Sequence, residues 1–159
     1  MTRPLTAALP LTLIPALVWP LGPPDPVVVR GWEPPATPYG PGHRGIDLAA
    51  PQGALVRAVA WGTVTFAGRV AGRGVLTITL PHTGNPPLTT TYEPVTALVP
   101  RGTHVTRGRP VATLTGTTHC GTGCLHWGLR RGTGTYENPL THLRRPPSRL
   151  LPRAGVRGP

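Results

Sequence analysis

The sequence predicts an all-β protein, a compact antiparallel sandwich or barrel, and three observations carry that reading. Apolar and polar residues alternate in short runs, as Leu76, Ile78 and Leu80 do against Thr77 and Thr79, which is the period of a half-buried strand. Glycine and proline supply 21 and 23 of the 159 residues, and they fall between such runs, where they read as turns. No segment carries a 3.6-residue apolar period closed by caps.

The elements follow in order. Residues 1–22 read as a targeting segment: Arg3 is the positive head, and Leu5 to Val18 is apolar and uncharged. Pro4, Pro10 and Pro15 break it as a helix, and it is short for a membrane span, so an exported chain is expected, with an uncleaved anchor or a mis-called start codon as the alternatives. Residues 23–143 form the domain. Asp25 to Arg30 reads as a first, edge strand, and Trp32 to Gly42 as a proline-rich loop. Strands are expected at Ala54 to Ala60, Thr63 to Ala67, Gly74 to Leu80 and Thr89 to Glu93, with a turn cluster at His82 to Pro87. Val105 to Val111 reads as a turn into a strand ending at Leu114, and Cys124 to Arg130 as a last strand. Residues 144–159 read as a flexible basic tail. A weak internal echo, Gly53-x-x-Val56 and Gly102-x-x-Val105, also occurs in biotinyl and lipoyl carrier domains. Those need a modifiable lysine, and this chain has none.

Sixteen arginines against five acids give a net charge of +11, which favours an anionic partner. No basic helix and no cluster of strand aromatics accompanies the charge, so nucleic acid is not the expected partner; an anionic cell wall fits, and so does a plain compositional bias. Cys120 and Cys124 are an even pair in a chain read as exported, which suggests a disulfide. Their spacing is wrong for a Cys-x-x-Cys redox motif. Cys124 and His126 are two apart on an expected strand and share a face, so Cys124 as a further metal ligand, or two free thiols, stay open.

The chemistry concentrates in two stretches. His43 and Asp47 are four apart in His43-Arg-Gly-Ile-Asp47, and an imidazole and a carboxylate are ligand types of an open zinc site. The third candidate ligand is His126 in Cys124-Leu-His-Trp-Gly-Leu-Arg130, where a strand would hold it rigidly. Together they resemble the lysostaphin/LytM-type zinc endopeptidases, over about Val27 to Leu143. The resemblance implies a small β fold of the duplicated hybrid type, zinc held by His43, Asp47 and His126, and hydrolysis of peptide cross-links in peptidoglycan. Two positions depart from the family. A histidine two residues before the last ligand is replaced by Cys124, and the histidine of a Tyr-x-His motif is replaced in Tyr92-Glu93-Pro94. Both non-ligand catalytic histidines are therefore absent, and Glu93, or failing it His119, becomes the candidate base. Glu93 faces the metal only if a bulge or a one-residue shift intervenes, since neighbours on a strand point to opposite faces. Tyr92 could line the site or sit in the core, and Trp127, opposite His126 in parity, belongs to the core. His82, His104 and His142 read as surface residues. The expected function is a weak zinc peptidase of the cell wall. The alternative is a zinc-holding, non-catalytic monomer that docks on peptidoglycan or on a partner hydrolase.

Overall fold

A computed structural model describes residues 16–37, 39–117, 120 and 123–144. Among these there are eleven strands, a single 3-10 turn at Pro139–His142 and no α-helix. Val and Thr runs broken by Gly and Pro leave the chain little else to form: β-branched side chains pack well on a pleated surface, and the punctuating residues supply the turns.

The strands are β1 (Val28–Arg30), β2 (Gly45–Ala49), β3 (Leu55–Arg57), β4 (Gly62–Val70), β5 (Arg73–Leu80), β6 (Leu88–Glu93), β7 (Val95–Ala97), β8 (His104–Val105), β9 (Pro110–Leu114), β10 (Cys124–Arg131) and β11 (Thr135–Glu137). The large sheet runs β1-β2-β10-β6-β5-β4-β8, with β11 also on β10, and a small sheet runs β3-β9-β7. Every pairing is antiparallel. The expected all-β antiparallel fold is therefore what the chain adopts.

The core lies between the two sheets. Ile46 and Leu48 of β2, Leu125, Trp127 and Leu129 of β10, Tyr92 of β6, and Leu76, Ile78 and Leu80 of β5 contribute from the large sheet, and Val56, Val111, Ala112 and Leu114 from the small one. Trp127 and Tyr92 are wholly buried, so both aromatics belong to the core rather than to a site. Their polar ends are satisfied: Trp127 Nε1–H donates to Thr90 Oγ1 at 2.9 Å, and Tyr92 Oη accepts from the Val59 amide at 3.3 Å. Burial pushes the Tyr92 phenol pKa upward, which keeps it neutral. The echo at Gly53 and Gly102 marks two equivalent corners. Each glycine has a positive φ, 80° and 89°, and each precedes a buried valine on a strand.

Several elements differ from the sequence reading. Ala54 to Ala60 shortens to β3, because Ala58 to Ala60 turns inward and is buried without strand pairing. β2, β7 and β11 were not expected as strands, being short and flanked by Gly, Pro or polar residues that imitate loops. The largest difference is at the N-terminus. Leu17 is wholly buried, its amide donates to the His142 carbonyl at 2.8 Å, and Arg144 N–H donates back to the Leu17 carbonyl at 2.9 Å. Trp19 meets Trp127 edge-on with ring centroids 6.1 Å apart. Leu17, Trp19 and Leu21 thus pack on the folded unit. An apolar, proline-bearing run suits a strapped core segment as well as a leader. Most of the expected leader and tail, residues 1–15 and 145–159, lies outside the described residues. No helix among the described residues is long and apolar enough to cross a membrane.

Candidate metal centre and its cleft

β10 sits between β2 and β6, and the register places Asp47, His126 and Glu93 in one row across three strands. Residues directly opposite one another on neighbouring strands point to the same face. Asp47 and Gly45 therefore share the outer face of the sheet with His126, while Ile46, Leu48 and Trp127 point into the core. His43 lies just before β2. A two-way bridge fixes its backbone to Glu33, with Glu33 N–H donating to His43 at 3.1 Å and His43 N–H donating to Glu33 at 2.7 Å. The proline-rich loop is closed by that bridge, which brings the imidazole over the start of β2. Glu33 itself is exposed, and the Arg30 guanidinium bonded to it at 2.9 Å holds its carboxyl below the usual range.

Three ligand atoms meet. His43 Nε2 lies 3.1 Å from Asp47 Oδ1 and 3.0 Å from His126 Nδ1, and His126 Nδ1 lies 2.9 Å from Asp47 Oδ1. The other ring nitrogen of His43, Nδ1, donates to the Gly31 carbonyl at 2.6 Å. That bond fixes the tautomer and leaves Nε2 with its lone pair facing inward, the outer-shell arrangement that metal-ligating histidines use. Asp47 is fully buried and His43 nearly so. Two imidazoles and a carboxylate with converging lone pairs suit a divalent cation of the zinc type, and such a set leaves a coordination position open.

Gly45 explains the centre of the His43-x-Gly45-x-Asp47 motif. A Cβ there would lie 2.5 Å from the Trp127 carbonyl oxygen and 2.7 Å from His126 Cε1 and Nε2. Only glycine lets β2 approach β10 closely enough for Asp47 to reach both imidazoles.

The disulfide is present. Cys120 and Cys124 are bonded, and Cys124 is buried on β10 at the edge of the metal face. Both sulfurs lie within 4.8 Å of an Asp47 carboxylate oxygen, so the bond packs against the ligand set; its sulfurs are occupied and there are no free thiols.

An open cleft of about 390 Å³ extends from His126 and is lined by Arg44, Thr77, Thr91, Glu93, Gly128, Arg130 and Tyr136 among others. Glu93 faces it without a bulge in β6. Burial in β6 alternates, with Leu88, Thr90 and Tyr92 inside and Thr89, Thr91 and Glu93 outside. The expectation that an irregularity was needed assumed that strand parity continues through position 94. It does not, because β6 ends at Glu93 and β7 begins at Val95. The Glu93 carboxylate takes an ion pair from Arg73 at 3.4 Å, both groups being partly exposed. His119 lies outside the described residues. His82 and His104 are exposed, while His142 is half-buried and bonded to Glu137 at 2.8 Å. Sequence reasoning did not single out Gly31, Arg44, Arg130, Thr91 or Tyr136. Strand parity from His126 points to Arg130, but a backbone carbonyl such as Gly31 leaves no trace in side-chain patterns.

The model of peptidase family M23 matches residues 41–139. An uncharacterized protein of Mycobacterium tuberculosis is 43% identical over 141 residues, covering 86% of this chain and 55% of that protein, and one of Mycobacterium bovis matches equally. The chain thus spans about half the length of these curated relatives. In fold it is similar to Csd3 of Helicobacter pylori, with a TM-score of 0.65 at 24% identity over 86% of this chain and 37% of that one. The catalytic domain of lysostaphin from Staphylococcus simulans gives 0.62 at 17% identity, over 73% of this chain and 90% of that one. The catalytic domain of the prophage-encoded M23 protein EnpA from Enterococcus faecalis gives 0.62 at 23% identity, over 78% and 96%.

Proposed function

The chain belongs to peptidase family M23, whose members are zinc-dependent, and from that premise we propose that it hydrolyses peptide cross-links of bacterial peptidoglycan. The observation that carries the reading is the convergence of His43 Nε2, Asp47 Oδ1 and His126 Nδ1 within 3.1 Å of one another at the head of an open polar cleft. Zinc held by these three would supply a Lewis acid that polarises the scissile carbonyl and eases attack by water.

The chain's own groups do the rest. The Gly31 carbonyl holds the His43 ring in its ligating tautomer. The Thr77 and Thr91 hydroxyls, 3.4 Å apart on the cleft floor, offer hydrogen bonds to an extended peptide. Glu93, in the same row as Asp47 and His126, is the proton acceptor in this reading: it takes a proton from the attacking water and returns it to the leaving amine. The Arg73 guanidinium stands 3.4 Å from that carboxylate and helps to orient it toward the cleft.

Turnover is slow in this proposal. Position 124, a histidine in the family resemblance, is a half-cystine, and position 94 is a proline with no proton to give or take. The loss of one oxyanion donor alone typically costs about a hundred- to a thousandfold. The same two positions favour the second reading, a zinc-holding module that docks on peptidoglycan or on a partner hydrolase without cutting. The disulfide supports an exported chain acting outside the cytoplasmic membrane, since such bonds persist in oxidising compartments. The test is digestion of purified peptidoglycan by the zinc-loaded protein and by Glu93→Gln. Cleavage that disappears in the variant supports Glu93 as the base; equal cleavage by both assigns the base elsewhere; zinc binding with no cleavage leaves the docking module.

A further inference from the structure

We infer that the cleft takes an acidic peptide, with Arg130 as the residue that binds its carboxylate. This rests on the peptidase reading of the same cleft. On β10 the outer face runs Cys124, His126, Gly128, Arg130, so Arg130 stands on the metal side of the sheet and lines the cleft with His126. Its row neighbours are Thr89 of β6 and Tyr136 of β11, neither of which is a carboxylate. Among the described residues no carboxylate neutralises it. Glu33 is bonded to Arg30, Glu93 to Arg73 and Glu137 to Arg131; Asp47 lies between the histidines; Asp25 lines a separate cavity beside Arg57 and Arg144. A half-buried guanidinium in a groove is a planar fork of donors, and a carboxylate is its geometric match.

The floor between the metal and this guanidinium is kept low. A Cβ at Gly128 would meet nothing closer than the Arg44 carbonyl at 3.7 Å and His126 Nε2 at 3.8 Å, so packing would admit alanine there. The glycine leaves that space to an incoming backbone. The opposite wall is Arg44, whose guanidinium donates to the Gly40 carbonyl at 3.3 Å and sits 5.8 Å from the centre of the Tyr136 ring. A second positive charge thus borders the groove. Arg130 is four strand steps from His126, which is about 13 Å at ~3.3 Å per step. A bound extended peptide would place its carboxylate within about four residues of the bond over the metal.

The experiment uses the zinc-loaded full chain and peptide cross-links released from peptidoglycan, either with free carboxylates or with those carboxylates converted to carboxamides. Calorimetry reads binding, and mass spectrometry of the peptides reads cleavage separately. Conversion to carboxamide should weaken binding about tenfold or more, the scale of a charge-assisted hydrogen-bond pair. Arg130→Gln should lose the same factor on the free acid and nothing on the carboxamide, with an unchanged circular dichroism spectrum and zinc content. Arg130→Lys should restore part of the preference. Equal binding of the two forms, no binding of either, or a preference that survives in Arg130→Gln overturns the inference. A preference without any cleavage contradicts the peptidase reading and leaves this one standing; cleavage without the preference does the reverse.

Discussion

Substituting Gly45 with alanine probes both the fold and the centre with one methyl group. The added Cβ would lie 2.5 Å from the Trp127 carbonyl oxygen and 2.7 Å from two atoms of the His126 ring, where ordinary contact begins at 3.4 Å. Neither neighbour yields easily. The carbonyl belongs to β10, which is paired on both sides, and the ring is held at 2.9 Å from Asp47 and 3.0 Å from His43. Overpacking of this kind typically costs ~1–3 kcal/mol, and a paired backbone on one side argues for the upper end. Relief by rotating His126 removes a ligand, so zinc affinity should fall at least tenfold, about 1.4 kcal/mol. Urea unfolding of the metal-free protein reads the first effect, and competition against a chromogenic chelator the second. Gly128→Ala is the control, because its Cβ has no contact closer than 3.7 Å; its stability should hold or rise slightly. If Gly45→Ala matches the wild type in both assays, the account of why β2 carries glycine there is wrong.

Other outcomes follow from the same geometry. His43→Ala and Asp47→Ala should each bring zinc from about one per chain to background by plasma mass spectrometry, and full zinc in both variants would remove the ligand assignment. Trp127→Phe deletes the 2.9 Å bond to Thr90 inside the core and should lower unfolding stability by ~1–3 kcal/mol, read by urea titration. The Cys120→Ser, Cys124→Ser pair should cost about 2 kcal/mol or less, because the loop closed by the bond is short; a larger loss would mean that the bond also supports Asp47. Association with purified peptidoglycan should weaken steeply as salt rises past the physiological range, where exposed charges are screened within ~8 Å, while binding indifferent to salt would mark the arginine excess as compositional.

The sequence made the alternating strands legible wherever one face is buried and the other solvated, as at Gly74 to Leu80. It failed at β2, which carries the buried acid Asp47 between core residues Ile46 and Leu48 and so imitates a functional loop. His43 and Asp47 are weak as a pair; it was the late strand carrying His126, read together with them, that made the ligand set legible through its resemblance to a known zinc family. Glu93 was legible as a candidate, but its direction was not, since parity depends on where a strand ends and Pro94 gave no unambiguous sign of that. The strap at Leu17 and Leu21 was hidden because the same apolar, proline-rich run satisfies a leader and a core segment alike. Arg130 was overlooked among sixteen arginines; its place on β10, two strand repeats from His126 on the cleft side, is what sets it apart.

The most direct test of the central claim is the conversion of cross-linked peptidoglycan dimers to monomers by the zinc-loaded protein, followed by mass spectrometry of the released peptides. Slow but measurable conversion is predicted for the wild type, with none after chelation of the metal and none by Asp47→Ala. No conversion by the zinc-loaded wild type, or conversion that Asp47→Ala retains, would contradict the assignment of a zinc-dependent cross-link hydrolase.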